Sequence, residues 1–309
     1  MSEGEEGEAG EAGDTSCCAS CGIAEIDDVK LKDCDGCDLV RYCSDECQQD
    51  HKSKHEEECK KRAAELRDEL LFKQPEGTYY GDCPICCLPI PLDLTKSTMM
   101  VCCSKFICEG CYYANAKREI EMRLDQKCAF CREPSVISEE EWQKRNMKRM
   151  EMNDPNAIYQ QGVDQYNEGK YRSAFKYFTK AVALGNTEAH YYLSMMYNDG
   201  KAVERDEGKI LHHVEEAAIG GHPDARYTLG CNEWDNNCNY ERAVSHFIIA
   251  ATQGHDKAIK SLMNAFRIGR ISREELANAL RAHKAAVDET KSAQREEAEV
   301  SSEYFWREG

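Results

Sequence analysis

Residues 189–197 read AHYYLSMMY and residues 215–222 read EEAAIGGH, and both strings recur in the second half of the chain. The recurrence reads ARYTLG at 225–230 and IAATQGH at 249–255. Spacings of 32 and then 36 residues separate three Ala-x-Tyr starts, which lie at Ala157, Ala189 and Ala225. Because repetition at such a period is the signature of a repeat architecture, these strings predict the fold of the second half.

Each copy also carries a second set of markers with constant internal spacings of seven and four residues. The markers are Ala174, Ala181 and Gly185, then Ile210, Ala217 and Gly221, then Ala243, Ala250 and Gly254. Small side chains let two antiparallel helices approach closely, and a glycine supplies the left-handed stop between hairpins. Since one hairpin cannot bury its apolar face alone, the pattern predicts a stacked helical solenoid.

These strings resemble Sel-one-like repeats, a tetratricopeptide-related family with the pattern A-x-Y-x-L-G and a closing A-A-x-x-G-H. The first copy departs from the pattern at Gln161, where Leu is usual. The resemblance implies a protein-binding scaffold. Beyond the repeats, a helix near Lys257 and a long charged helix from about Ser272 to Glu299 are expected to cap the array.

Composition restricts the classes of function. The chain has 309 residues, a net charge of −17 and 19 cysteines, most of them between Cys17 and Cys131. Acidic residues along the whole length repel phosphate backbones, so nucleic acid is not expected as a partner. The N-terminal string MSEGEEGEAGEAGDTS lacks the features of a secretory signal, and no apolar run predicts a membrane span or a membrane partner. We expect an intracellular location, cytoplasmic or nuclear, where clustered cysteines indicate metal ligands.

The first Cys/His cluster contains eight soft ligands in four closely spaced pairs. They are Cys18 and Cys21, Cys34 and Cys37, Cys43 and Cys47, and His55 and Cys59. Eight such ligands are the number needed for two closed tetrahedral zinc sites, although the spacing alone leaves their pairing open. Cys17 is expected to be a spare cysteine, and His51 to have a surface role or to support a ligand.

This cluster resembles a MYND finger. That resemblance implies an interleaved arrangement, in which Cys18, Cys21, Cys43 and Cys47 hold one zinc ion and Cys34, Cys37, His55 and Cys59 hold the other. Fingers of this family typically bind short proline-containing peptides. Lys52 stands where the family usually carries a Trp that supports the peptide groove, so peptide binding of the usual kind is in question.

A second cysteine cluster resembles a RING finger, with CPIC at 83–86, CSKFICEGC at 103–111 and CAFCR at 128–132. The resemblance implies one zinc site at Cys83, Cys86, Cys108 and Cys111. Lys105 stands where a RING usually has its His ligand, and an ammonium has no lone pair to donate. Either Cys102 and Cys103 both join Cys128 and Cys131, which we favour, or the second site is incomplete. Cys87 is a spare.

The sequence therefore predicts a mainly α protein with two small zinc-stabilised modules, MYND-like and RING-like, followed by a solenoid of α-helical hairpins. The order is an acidic tail at 1–16, a MYND-type finger at 17–60, a linker helix at 61–78, a RING-like finger at 79–134, a linker helix at 135–154, repeats at 155–256, capping helices at 257–300 and a tail at 301–309.

Two functions remain open at this stage. The first is a non-enzymatic adaptor that binds about four zinc ions, two in each module, and docks proteins or peptides. The alternative is a RING-type ubiquitin ligase, with the repeats recruiting substrate. The RING resemblance implies that Ile85 and Arg132 contact a ubiquitin-conjugating enzyme, whereas an ordinary solvated Arg132 is the competing interpretation.

Overall fold

The computed structural model describes residues 17–26, 28–135 and 138–305, with side chains described as far as residue 301. The acidic tail predicted at 1–16 and most of the predicted tail at 301–309 lie outside these side-chain descriptions. The chain divides into two compact units, residues 1–73 and residues 74–309. No helix in the described ranges is long and apolar enough to cross a membrane.

Helices dominate the part of the chain that the structure describes, which confirms the mainly α class. The strands are β1 Lys32–Asp33, β2 Arg41–Tyr42, β3 Ser97–Met100 and β4 Lys105–Cys108. The helices are α1 Asp45–Phe72, α2 Glu109–Glu121, α3 Glu139–Glu151, α4 Pro155–Asn167, α5 Tyr171–Ala183, α6 Thr187–Asp199, α7 Glu207–Ile219, α8 Pro223–Asp235, α9 Tyr240–Thr252, α10 Asp256–Arg267, α11 Arg273–Glu289 and α12 Ala293–Phe305.

The first unit is a short β1–β2 antiparallel pair followed by α1. The helix predicted at 61–78 is part of α1, which begins at Asp45, inside the zinc-finger sequence, and ends at Phe72. The reason lies in the cap: the Ser44 side chain accepts a hydrogen bond from the Cys47 amide at 3.2 Å. Acidic residues in the first turn also favour this start. The cap places the first helical turn beside the strand pair.

In the second unit, β3 and β4 form a hairpin in which Ser97 pairs with Cys108 and Met100 with Lys105. The hairpin and α2 enclose a small core around Ile90 and Ile107, which pack against the cysteines of the RING-like sequence. This core is too small to hold a module of this size by apolar burial alone. Metal ligation, or packing against the remainder of the unit, must supply the rest of the stability of this module.

The repeats form the predicted hairpins α4–α5, α6–α7 and α8–α9, and these stack in order. At the end of each hairpin a glycine has a left-handed backbone, with φ of 85° at Gly185, 88° at Gly221 and 90° at Gly254. A side chain is disfavoured in this conformation, which explains the glycine in each copy. The alanine markers are fully buried between the paired helices.

A ladder of caps joins successive hairpins. The His222 Nδ1 atom accepts from the Ala225 amide at 3.3 Å, and its Nε2 lies 3.3 Å from Glu188 on the preceding hairpin. His255 repeats the arrangement with the Ala258 amide at 3.2 Å and Asp224 at 3.2 Å. Since Nδ1 accepts a hydrogen bond, the proton of the neutral ring lies on Nε2, which donates to the carboxylate. Each cap thus fixes its own helix and the neighbouring hairpin.

Paired small and large residues adjust the helix spacing within each hairpin. A Cβ atom on Gly162 would lie 2.7 Å from Phe178, and one on Gly230 would lie 2.5 Å from Phe247. In the middle hairpin the equivalent positions carry Ser194 and Val214. A larger residue on one helix is therefore matched with a smaller residue on its partner. This exchange is visible in the sequence once the three copies are aligned.

The C-terminal helices differ from the expectation of one long helix from Ser272 to Glu299, which is wrong. The helix ends at Glu289, and α12 begins at Ala293 after a break. The Ser292 hydroxyl accepts from the Arg295 amide at 3.3 Å, and Arg295 donates to the Thr290 carbonyl at 2.6 Å. These contacts give hydrogen-bond partners to backbone groups that the break leaves without helical partners. Beyond the break, α12 packs against α2. It thus returns to the RING-like module.

Three histidines cluster on the middle hairpin. The Nδ1 atoms of His190 and His213 are 3.0 Å apart, and the His213 ring stacks on Tyr197 at 5.8 Å between centroids. His212 lies beside both. Burial, together with the neighbouring His190 and His212, lowers the pKa of His213 to about 4. The His213 ring is therefore held in its neutral form at neutral pH.

Lowering the pH from 7 to 5 is expected to destabilise the repeats through His213. The unfolded chain protonates this ring near pH 6.5, whereas in the folded chain its pKa is lowered to about 4. The contribution to stability is fully present above pH 6.5 and is lost as the pH falls toward 4. Allowing for partial exposure, we expect a loss of about 1 kcal/mol in the free energy of unfolding.

Urea unfolding at pH 7 and pH 5 measures this effect by comparing the natural chain with the His213→Gln variant. The cysteine sites also respond to pH, but they are common to both chains and cancel in the difference. The variant is expected to lose less stability on acidification. Equal losses in the two chains would contradict the assignment to His213.

Candidate metal centres

The first finger set comprises Cys18, Cys21, Cys43 and Cys47, whose sulfur atoms all lie within 4.8 Å of one another. Cys18 and Cys21 lie in a tight loop, Cys43 follows β2, and Cys47 is in the first turn of α1. The Cys21 and Cys43 sulfurs are 3.5 Å apart. The Ser44 cap therefore brings two cysteines from later in the chain to the loop that carries the first two.

The second finger set comprises Cys34, Cys37, His55 and Cys59, whose ligand atoms also lie within 4.8 Å of one another. His55 and Cys59 are one helical turn apart on α1, and both face the turn between β1 and β2. The Cys37 sulfur is 3.1 Å from His55 Nε2, and the Cys34 sulfur is 3.7 Å from that of Cys59. The two finger sets alternate along the chain, as the resemblance implied.

The first RING set comprises Cys83, Cys86, Cys108 and Cys111. Cys108 is the N-cap residue of α2 and Cys111 lies in its first turn, so the end of the β3–β4 hairpin places both. The sulfurs of Cys86 and Cys108 are 3.7 Å apart. Three of the four side chains are buried.

The second RING set comprises Cys102, Cys103, Cys128 and Cys131. The neighbouring Cys102 and Cys103 both lie in this set, and the Cys102 sulfur is 3.3 Å from that of Cys131. Lys105 lies outside the set on β4 and is exposed. The structure therefore places four sulfur atoms close together here without the usual histidine.

Three cysteine loops have the same closed turn. In each, the fourth residue after the first cysteine donates its amide to that cysteine's carbonyl, and its φ is 76° at Gly22, 54° at Cys87 and 64° at Arg132. A turn of this form aims both sulfurs of a CxxC pair at one point. Sequence reasoning missed this conformation at Cys87 and Arg132 because neither position carries glycine.

Replacing Cys87 with glycine is expected to stabilise the RING-like module by about 1 kcal/mol, because glycine adopts a left-handed backbone without the cost that other residues incur. Cys87 is exposed and lies outside the four sets, so no ligand is lost. Hydrogen exchange at α2 would report the change. Cys87→Ala is the control, since it removes the thiol but keeps the strain, and equal effects of the two variants would contradict the argument.

The chemistry of the donor sets fits zinc. Hydrogen bonding from Cys108 lowers the pKa of Cys83 to about 4, against the effect of burial. In the same set, burial, together with the neighbouring Cys83 and Cys86, raises the pKa of Cys111 to about 12. One sulfur of such a set readily becomes a thiolate, whereas several thiolates together require a cation. A tetrahedral Zn²⁺ with four sulfur or nitrogen ligands meets this requirement.

Ile85 and Arg132 lie on one shallow groove of the RING-like module, together with Arg118, Ala129 and Gln294. Ile85 is 42% exposed. The Arg132 side chain is 47% exposed and also has two polar partners. Its guanidinium donates to Asn115 at 2.9 Å and lies 3.2 Å from the carboxylate of Glu119, which is 1% exposed.

Two residues near the finger sets have roles outside them. His51 is not in either set; its ring stacks on His55 at 5.9 Å, and its Nδ1 lies 3.1 Å from the Tyr42 hydroxyl. It therefore supports the orientation of His55, as expected. Lys52 is exposed on α1.

Sequence reasoning also missed Arg295, which lies in a helix rich in charged residues but is 8% exposed against the RING-like module. The available signal is Gly110, an unusual residue for the first turn of a helix. A Cβ atom there would lie 2.9 Å from the Arg295 side chain.

One curated protein is similar to part of this chain. Chitin synthase regulatory factor 4 of Schizosaccharomyces pombe is 31% identical over 104 residues, covering 31% of this chain and 16% of that relative. The chain thus spans about a sixth of the length of that curated relative.

Two solved structures are similar to about half of this chain. A Sel1 repeat protein from Oxalobacter formigenes is 23% identical with a TM-score of 0.42, covering 49% of this chain and 65% of that one. An immunity protein from Pseudomonas aeruginosa is 19% identical with a TM-score of 0.39, covering 50% of this chain and 64% of that one.

Family models match two parts of the sequence. The MYND finger model matches residues 18–59, and the Sel1 repeat model matches residues 157–186, 187–222 and 238–255. The chain therefore carries a MYND finger, which implies zinc, followed by Sel1 repeats.

Proposed function

We propose that the protein is a zinc-dependent adaptor, in which the repeats are the scaffold and the two zinc modules dock peptides or partner proteins. The observation that carries the proposal is that each of the four sets offers four protein ligands. A catalytic zinc ion keeps one position open for water or substrate, whereas four protein ligands close a structural site. Zinc in these sets would hold interaction modules in shape.

The sixteen ligands of this proposal are the members of the two finger sets and the two RING sets. Each set would hold one ion, with the thiolates and the imidazole of His55 as ligands. Cys17 and Cys87 have no such role, because they lie outside the sets. Protein partners are consistent with the general use of MYND and Sel1 domains as interaction modules.

A capture experiment with the immobilised full chain tests the adaptor proposal. Leu211 on α7 is 43% exposed and lines an open groove with Ile210 and Asn232. The Leu211→Glu variant is expected to lose proteins that the natural chain retains. Leu280→Glu is the matched control, since Leu280 is 39% exposed on α11. If the natural chain enriches no protein over an unrelated immobilised zinc finger, the adaptor proposal fails.

One observation favours ubiquitin ligase as a second function: Ile85 is exposed on the same groove as Arg132. The test is self-ubiquitination with a panel of ubiquitin-conjugating enzymes, comparing Ile85→Ala with Leu94→Ala. Leu94 is also 42% exposed on this module. Ile85→Ala should reduce any product, whereas Leu94→Ala should not. Absence of product with every enzyme removes this function and leaves the adaptor proposal intact.

Arg132 requires a conservative variant in the same assay. Its guanidinium lies beside the buried Glu119, and removal of the cation would leave an uncompensated carboxylate. Arg132→Lys keeps a positive charge beside Glu119, so a loss of activity in this variant would reflect the contact with the conjugating enzyme and not misfolding. A ligase that depends on the guanidinium should lose activity in this variant while zinc content stays unchanged.

A further inference from the structure

The C-terminal helix α12 forms part of the RING-like module. Ala298 is fully buried, and salt bridges join Lys117 to Glu297 at 2.8 Å and Lys96 to Glu299. These contacts connect both α2 and the turn before β3 to α12. With Gln294 and Arg295, the contact spans more than one turn of the helix.

Arg295 is the most deeply inserted charged residue in this contact. Its guanidinium donates to the Pro89 carbonyl at 2.6 Å and to the Leu88 carbonyl at 3.1 Å. It also lies 3.5 Å from the Cys86 sulfur. Leu88 closes the cysteine loop, because its carbonyl accepts from the Cys83 amide at 2.9 Å. Arg295 therefore holds the outer side of the loop that carries two members of the first RING set.

Gly110 permits this approach. A Cβ atom at Gly110 would lie 3.0 Å from the Arg295 backbone, and the side-chain amide of Gln294 donates to the Gly110 carbonyl at 3.1 Å. Gly110 lies between Cys108 and Cys111, the other two members of the set. The start of α12 thus touches both chain segments that supply the four sulfurs.

We infer that Arg295 is a positioning residue for the zinc centre at the first RING set. It holds the Cys83–Cys87 loop in the conformation that aims both sulfurs at the metal, and its charge offsets the net negative charge of Zn²⁺ with four thiolates. This inference rests on the proposal that the set binds zinc. Groups that orient ligands from outside the coordination sphere commonly change metal affinity by 10- to 100-fold.

The geometry of the guanidinium is essential to this role. A planar fork reaches two successive carbonyls and a sulfur at once, whereas an ammonium is a single point charge. Arg295→Lys should therefore keep the charge but lose the bridge between the carbonyls. This variant separates orientation of the loop from simple charge compensation.

Zinc release from the full chain tests the inference. The chains are challenged with excess EDTA, and the loss of each ion is followed by native mass spectrometry. Arg295→Ala is expected to release one ion at least about 10-fold faster than the natural chain, with the other ions unchanged, and Arg295→Lys is expected to be intermediate. Glu296→Ala, at an exposed position on the same helix, is the matched control and should leave every rate unchanged.

Two further measurements make the result decisive. Hydrogen exchange of α12 shows whether the helix stays docked in Arg295→Lys; faster release with α12 still protected supports the positioning role. Unchanged release in both Arg295 variants, or faster release only when α12 loses protection, overturns it. Cys86→Ser tests the underlying proposal separately, because a site that binds zinc must lose an ion in that variant, whatever Arg295 does.

Discussion

A chain with Cys37→Ser is expected to bind two zinc ions instead of four and to lose the fold of residues 17–73. Cys37 is 6% exposed, and its sulfur lies 3.1 Å from His55 Nε2. A serine hydroxyl is a poor zinc ligand, so the second finger set loses its ion. The effect is large because metal binding supplies apparent free energies of about 10–16 kcal/mol to small zinc modules.

The loss should extend to both ions of the finger because the two finger sets alternate along the chain. The turn with Cys34 and Cys37 lies between the two halves of the first finger set, and α1 carries ligands of both sets. When that turn is released, the strand that positions Cys43 loses its partner. The small apolar core around Leu31 and Tyr42 cannot hold the module without the metal.

Native mass spectrometry gives the ion count, and hydrogen exchange shows which residues lose protection. Cys17→Ser is the control, since Cys17 is next to Cys18 but outside the finger sets, and it should keep four ions. Loss of only one ion, with α1 and β2 still protected, would show that the two sites are independent. Four ions in Cys37→Ser would contradict the assignment of this cysteine as a ligand.

Gly230→Ser is expected to destabilise the repeats by about 2–3 kcal/mol, and Phe247→Val is expected to reverse part of that loss. The serine Cβ would lie 2.5 Å from the Phe247 ring, which is 3% exposed and has little room to move. The paired helices α8 and α9 would have to separate. Overpacking in a well-packed core typically costs energy of this order.

The rescue copies a combination already present in the chain. The middle hairpin carries Ser194 and Val214 at the equivalent positions, and the Ser194 hydroxyl donates to the Tyr191 carbonyl at 2.6 Å. A serine at 230 has the same acceptor available in Tyr227. The smaller valine should therefore remove the clash without leaving an unsatisfied hydroxyl.

Urea unfolding of the two single variants and the double variant measures the coupling between these positions. Phe247→Val alone should also destabilise the chain, because it leaves a cavity beside Gly230. The double variant should be more stable than the sum of the single effects predicts, by at least about 1 kcal/mol. Additive effects would show that the two side chains do not compete for the same space.

The hairpin fold could be predicted from sequence because three copies repeat the same small residues and glycines. The grouping of the cysteines in space also follows the predicted pairs, since CxxC spacing is a local property of a turn. The adjacent Cys102 and Cys103 both join one set, which agrees with the favoured alternative, whereas their role as ligands remains a proposal.

The return of α12 could not be predicted because its cause is not local. The break between Glu289 and Ala293 contains neither glycine nor proline, the usual signals for the end of a helix. Glu119 and Arg295 are charged residues that the fold buries, contrary to the hydrophobic pattern from which burial is inferred. Their partners lie elsewhere in the sequence, and only the folded chain brings them together.

The contact between Gln294 and Gly110 joins residues 184 positions apart. A ribosome that adds about 5–20 residues per second needs on the order of 10–40 s to make the intervening segment. During synthesis the RING-like sequence therefore emerges long before Arg295, which contacts the outer side of its first cysteine loop. Zinc that binds this module before α12 is made would meet a site that still lacks Arg295. The order of synthesis thus gives the early chain a period in which its thiols remain open to exchange.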